Sequence, residues 1–320
     1  MVVNVFSQFL YRQLLKHLYF SNNKVSSRIN MICYAALRKI ILKYRDPLVK
    51  IKVGNHSLLM NLSHQLPLYI ASYPYYDTAL PRICAFIKER LGYLTLIDVG
   101  ANIGDTVSLV SQKVSGKFLC IEADNNFFSL LTKNTANIQI AEKIVCLKLL
   151  CSDSKGESHA SIISSRGTAH IARGNEPNGK LLQESSIDHL IAENVDFEKC
   201  NIIKIDTDGY DYKVLRGSDI LLNRAHPVIF FELMPKFLLK IGEDPMSIFD
   251  YLARRGYQNV LFYDNTGIPV IKINISEREY ISQLINYEKN KNSLFDVLSF
   301  HDSMKEDFDL FYEREMAIFK

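Results

Sequence analysis

The chain reads as a doubly wound α/β domain with a mostly parallel sheet, and three observations point there. From residue 93 onward, short apolar runs alternate with helical stretches of about ten residues. The runs are continuous, as strands buried on both faces of a helix-covered parallel sheet require. The length of 320 residues suits one large domain with appendages better than two full domains.

Residues 1–47 read as a basic, amphipathic helical extension, with Phe6, Phe9, Leu10 and Leu14 at helical spacing and Arg12 and Lys16 off that stripe. A hairpin is predicted over 49–53 and 57–62, around a Gly54-Asn55 turn that tolerates positive φ. After a Tyr- and Pro-rich stretch over 66–76, a helix is expected at 80–91. Tyr73 to Tyr76 are either plain packing or an aromatic cover for a ligand. The main strands fall at 93–99, 118–122, 144–150, 201–206 and 227–233, with helices such as 104–115, closed by Gly116, between them. A helix over 245–255 has Asp244 to cap it, Pro245 in its first turn, and Arg254, Arg255 and Gly256 at its end. Strands at 259–263 and 269–275 form a closing antiparallel hairpin. Residues 48–275 thus make the main domain, and 276–320 read as a polar helical tail. The segment 154–185, with His159, Arg166, His170 and Arg173, reads as a long loop suited to acceptor recognition.

Composition excludes several classes. With 48% hydrophobic and 23% charged residues the chain is globular rather than disordered. No apolar run reaches the roughly 18 residues of a membrane-spanning helix. The net charge of +3 hides an asymmetry: residues 1–50 hold nine Lys/Arg against Asp46 alone, leaving 29 basic and 34 acidic residues over 51–320. Such a body is no nucleic-acid binder, whose affinity rests on many phosphate contacts. The basic head is either a solvated helical face or a contact with an anionic membrane surface or an acidic partner such as a glycan-assembly enzyme. Six cysteines without a C-x-x-C pair, and a start lacking signal-peptide features, predict reduced thiols and a cytoplasmic protein.

The chemistry gathers at the ends of the predicted strands. Asp98-Val-Gly100-Ala-Asn102-Ile-Gly104 joins a buried strand to a helix through a tight turn whose glycines let the backbone pass close to a ligand. Asp98 is placed to meet a cationic or hydroxyl-bearing group. Glu122 ends the next strand, 22 residues beyond Gly100, where a carboxylate can accept both ribose hydroxyls. Asn102 stands where a dinucleotide site carries its second glycine, which suits a cofactor without a pyrophosphate better than NAD. Ser152 and Asp153 end the third strand and could read an adenine edge, or form a plain turn. Asp206, Asp208 and Asp211 follow the fourth strand, and Glu232 ends the fifth. Ligands of open α/β sheets bind outside these carboxyl ends. The first two are candidates for catalysis, as a base or an orienting group for a hydroxyl, while Asp211 and Glu232 are candidates for acceptor binding. Asp206, Asp208 and Glu232 could alternatively hold Mg²⁺, but spacing shows no further ligand and no metal is assigned.

In order along residues 48–275, the chain carries Asp98-Val-Gly-Ala-Asn-Ile-Gly104, Ile121-Glu122, Cys151-Ser-Asp153 with Gly156, Ser186-Ile-Asp188, and Lys204-Ile-Asp-Thr-Asp-Gly209 through Val214-Leu-Arg-Gly217. This set resembles the FkbM-type methyltransferases. The resemblance implies a class I, Rossmann-like fold, S-adenosyl-L-methionine as cofactor, and O-methylation of a hydroxyl, often on a sugar or polyketide. It places Gly100, Asn102 and Gly104 along the methionine part, Glu122 at the ribose, Asp153 at the adenine, and Asp206 near the transferred methyl. Two positions depart from the family's habit: Asp208 stands where Glu is common, and Tyr212 where an aliphatic residue is. An NAD-linked dehydrogenase and a non-catalytic binding scaffold are the alternatives.

Overall fold

The apolar runs become the centre of an eight-stranded sheet in the computed structural model, which describes residues 3–19, 25–139, 142–165, 167–172, 180–207, 209–291 and 294–320. Ahead of the sheet, α1 (Val5–Tyr19) and α2 (Val25–Tyr44) pack antiparallel. His17 stacks on Tyr34 with centroids 5.7 Å apart, and the Arg38 guanidinium lies over the Tyr11 ring. The buried face of α1 is Ser7, Leu10, Tyr11 and Leu14, whereas Phe6 and Phe9, expected on that stripe, face outward. Tyr11 takes the inward place because its hydroxyl can donate to the His64 carbonyl while its ring stays dry.

The strands β1 (Leu48–Val53) and β2 (His56–Asn61) form the expected hairpin, turning at Gly54 with φ +58°. They are followed by α3 (Leu66–Ser72) and α4 (Ala79–Leu91), the latter ended by a left-handed Gly92. Inward residues of the hairpin and α1 rest on Ile103, Phe127 and Leu130, seating the N-terminal elements beside the first βα turn of the main sheet.

That sheet begins with β3 (Thr95–Val99), α5 (Asp105–Val110), β4 (Lys117–Ile121), α6 (Asn125–Thr135) and β5 (Lys143–Leu147). A small second sheet follows, from β6 (Leu150–Cys151), β7 (Gly156–Ser165), β8 (Thr168–Ala172) and β9 (Lys180–Ser185). The main sheet resumes through α7 (Ile187–Glu193), β10 (Ile202–Ile205), α8 (Asp211–Arg216), α9 (Asp219–Ala225) and β11 (Val228–Leu233). After α10 (Pro235–Lys240) and α11 (Met246–Ala253) come β12 (Asn259–Asp264), β13 (Pro269–Asn274), α12 (Arg278–Lys291), β14 (Phe295–Phe300) and α13 (Lys305–Ile318).

The strand order is β13-β12-β14-β11-β10-β3-β4-β5, with β5, β4, β3, β10 and β11 parallel. Successive residues of β3 enter opposite cores: Ile97 and Val99 join Ile203, Ile205 and Phe249, while Leu96 joins Phe118, Phe86 and Phe311. Burial of both faces is why the runs show no alternation. The fold is thus the mixed, doubly wound α/β class. The order in which the strands are laid down reverses between β3 and β10, which opens a crevice at their carboxyl ends.

Four expectations change. The segment 154–185 contains β7, β8 and β9, so its described part is a small sheet rather than a long loop. The third strand stops at Leu147, and Leu150-Cys151 pairs instead with β9. Gly116 caps no helix, since α5 ends at Val110; it is small because a Cβ there would meet Leu94 at 2.8 Å. Finally, 276–320 is no mere tail, because β14 lies antiparallel between β11 and β12 in the sheet. The helix expected at 245–255 is α11, which runs from Met246 to Ala253 with Pro245 at its N-cap; Asp244 Oδ1, one residue before, accepts from the Met246 N–H at 3.0 Å. No described helix is long and apolar enough to cross a membrane.

Candidate functional site

Where β3 ends, the backbone must pass under β10's neighbouring end. Gly100 does this with φ +78°, and a Cβ there would lie 1.8 Å from the Asp206 carbonyl oxygen. The Gly100 and Ala101 N–H groups both donate to the Ile121 carbonyl at 3.0 Å, tying the turn to β4. Asn102 is left-handed at φ +47°, and its side chain donates to the Gly167 carbonyl at 2.7 Å. The Asn102 Oδ1 lies 3.3 Å from His64 Nε2. Burial lowers the His64 pKa to about 4, so the ring is neutral, with Nδ1 accepting from the Leu66 N–H.

Glu122 follows β4 and is fixed by backbone donors. Its Oε2 accepts from Asn102 N–H at 2.9 Å and its Oε1 from Asp124 N–H at 2.7 Å. Burial outweighs these bonds and pushes its pKa up to about 7. Across the crevice Lys204, on β10, sets the charge. Its Nζ reaches Asp98 Oδ1 and Asp206 Oδ2, each at 3.2 Å, and the Gly100 carbonyl at 3.1 Å. Burial alone would lower the Lys204 pKa, but Asp206, Asp98 and Asp105 outweigh it and hold the ammonium charged.

These groups surround a cavity of about 400 Å³ lying at the switch point. Gly100, Asn102, Glu122, Asp206 and Glu232, singled out from sequence, all line it. So do Asp77, Asp105, Lys204 and Asp296, which were not assigned a role from sequence. Enclosure by protein pushes Asp105 up to about 6 and Asp296 up to about 7, and Asp77 well above the carboxylate range. For Asp77, which still meets solvent through the cavity, the nearby Asp105, Asp296 and Asp206 add to that rise. Tyr69 and Tyr76, stacked with centroids 5.2 Å apart, form an aromatic wall together with Tyr73.

Five predicted residues are placed elsewhere. Asp98 is wholly buried under the floor, where the cation it meets is Lys204. Gly104 lies outside the cavity; a Cβ there would press on Leu131 and Thr135 of α6 at 3.1 and 3.2 Å, so helix packing is its reason. Ser152 is buried and donates to Glu184, and Asp153 pairs with Arg216 at 2.8 Å; neither lines the cavity. Leu149, Leu150 and Cys151, which follow the end of β5, line it instead. Asp211 is buried off the cavity, accepting from the Thr207 and Gly209 N–H groups at 3.3 and 3.1 Å, which makes it a brace for the loop after β10. Asp208 lies outside the described residues. No three His, Cys, Asp or Glu side chains among the described residues are placed to hold one metal ion.

The signals for the missed residues differ. Asp105 directly follows the turn motif, and Lys204 opens the fourth-strand motif, so both were in plain view. Asp296 sits within β14, directly across the ladder from Glu232, and only the strand's position in the sheet reveals it. Asp77 has no sequence signal beyond its aromatic neighbours.

The chain matches the model of the methyltransferase FkbM domain over residues 98–258. No curated protein matches it in sequence. Among solved structures, a methyltransferase FkbM from Methylobacillus flagellatus is 16% identical with a TM-score of 0.33, over 49% of this chain and 37% of that one. The chain thus spans little more than a third of that relative's length. An O-methyltransferase from Bacillus cereus, in complex with SAH, is 10% identical with a TM-score of 0.39, over 83% of this chain and 97% of that one.

Proposed function

The chain belongs to the FkbM methyltransferase family, and on that premise we propose that it moves a methyl group from S-adenosyl-L-methionine to a hydroxyl of a sugar, glycan precursor or other polar metabolite. The observation that carries this reading is the acidic lining of the cavity: Asp77, Asp105, Asp206, Glu232 and Asp296 line it around Lys204, and a cation entering among them favours their charged forms. A sulfonium cofactor bearing an ammonium group fits such a lining. A dinucleotide pyrophosphate would meet these carboxylates unfavourably, which counts against the dehydrogenase alternative.

The cofactor, when bound, supplies a methyl carbon made electrophilic by the positive sulfur. Everything else falls to the chain. Glu122 lines the cavity, and its carboxylate has lone pairs beyond those its two N–H donors use, which suit a pair of ribose hydroxyls. Leu149, Leu150 and Cys151 offer an apolar seat for a flat base. Asp206, steadied by Lys204, orients the acceptor hydroxyl, and Asp296, with its pKa near 7, is poised to take the proton that hydroxyl sheds.

Calorimetric titration of the purified protein with S-adenosylhomocysteine and, separately, NAD tests the cofactor. Binding of the former only, weakened by about 1–3 kcal/mol in Glu122→Gln, is the expected result. Binding of NAD alone would overturn the reading. Turnover of S-adenosylmethionine with an acceptor extract, lost in Asp206→Asn, separates an enzyme from a scaffold that binds cofactor without chemistry.

A further inference from the structure

A helix that packs on one side normally shows solvent a polar face. The helix α2 does not. Met31, Tyr34, Ile41 and Leu42 turn toward the core shared with α1, yet Ile29, Ile32, Leu37, Ile40 and Tyr44 line up on the opposite side. Ile29, Ile32 and Ile40 are each more than half exposed. At 100° per residue the five fall within an arc of about 140°, an apolar stripe along the helix. Lys39 and Lys43, both exposed, flank and enter that stripe. No acidic residue precedes Asp46 in the chain, and Asp46 is turned aside to Ser63, accepting from its N–H at 2.9 Å and its hydroxyl at 2.6 Å.

We infer that the outer face of α2 docks on an anionic lipid surface, with the isoleucines and Leu37 entering the acyl boundary and Lys39 and Lys43 meeting lipid headgroups. Charge decides between this occupant and a second copy of the chain. A two-fold pairing sets the same patch against itself, so Lys39 and Lys43 would face their own copies with no carboxylate on the face to neutralise them. Anionic headgroups supply what such a pairing lacks, and an amphipathic helix with lysines beside a bulky apolar stripe is the form that lies in a membrane interface. Tyr44, 80% exposed at the helix end, is the residue type that settles at headgroup level.

Co-sedimentation of the full chain with phosphatidylcholine vesicles, with and without phosphatidylglycerol, tests this. Binding should require phosphatidylglycerol and weaken as salt is raised. Lys39→Gln with Lys43→Gln should lower it about 25-fold, roughly fivefold per cation. Ile32→Ser with Ile40→Ser should release the protein while leaving its thermal unfolding unchanged, since both side chains are exposed. Failure to bind anionic vesicles overturns the inference. So does equal binding to neutral vesicles, or a dimer in sedimentation velocity that the isoleucine substitutions convert to monomer.

Discussion

The two sides of the cavity hold their carboxylates by different means. On the β4 side, Glu122 is gripped by two backbone N–H groups, one of them two residues away in the chain. On the β10 side, Asp206 is positioned by a lysine side chain that also answers a buried aspartate on β3, and Asp296 arrives from a strand 90 residues further on. The first arrangement is local and tolerates neighbours; the second depends on charge balance between separate strands. The difference teaches that a strand-end motif encodes the side proposed for the cofactor, while sheet order assembles the side proposed for the reaction.

The sharpest way to break this contrast is Lys204→Met. Asp98, fully buried, would lose its cation, and leaving a buried charge unpaired costs about 3–5 kcal/mol. Urea denaturation should register that loss, and Asp98→Asn in the same background should recover part of it. A second effect appears with pH. Glu122 and Asp296 titrate near 7 in the folded protein but near the ordinary 4.5 and 3.8 when unfolded. Between those limits the folded chain holds protons the unfolded chain has lost, so these two groups make stability fall as pH rises from about 4 to 7. Denaturation midpoints measured across that window should slope downward, and Asp296→Asn should flatten the slope. Smallest of all, Asp153→Ala removes one partner of an exposed pair with Arg216, which keeps Glu243 at 2.8 Å. It should change stability by no more than about 1 kcal/mol and leave cofactor affinity untouched. A large loss of affinity there would return Asp153 to the cavity.

How legible this was follows from distance along the chain. The turn from Asp98 to Gly104, the Glu122 strand end and the Lys204–Asp206 strand end each announce themselves within a few residues, because a strand, a tight turn and a helix need particular types in sequence. Depth was not legible. Asp98 and Asp206 read alike as strand-end acids, yet one is under the floor and the other on the rim, since Asp98 lies within β3, paired with Lys204, while Asp206 lies one residue past the end of β10. Gly104 was read as a ligand-side glycine when its neighbours are Leu131 and Thr135. The hardest piece was β14, whose alternating Phe295, Val297 and Ser299 look like any short edge strand until pairing sets it between two others.

That insertion governs the order in which the protein can form. β11 and β12 are made early, but the strand that joins them is residues 295–300. During synthesis both present open edges to other chains until that stretch emerges, and closing the sheet then requires contacts of long sequence separation, which are slow to find. Trimming the chain before Phe295 therefore would not shorten a tail. It would leave a sheet split in two, with two sticky borders where its middle should be.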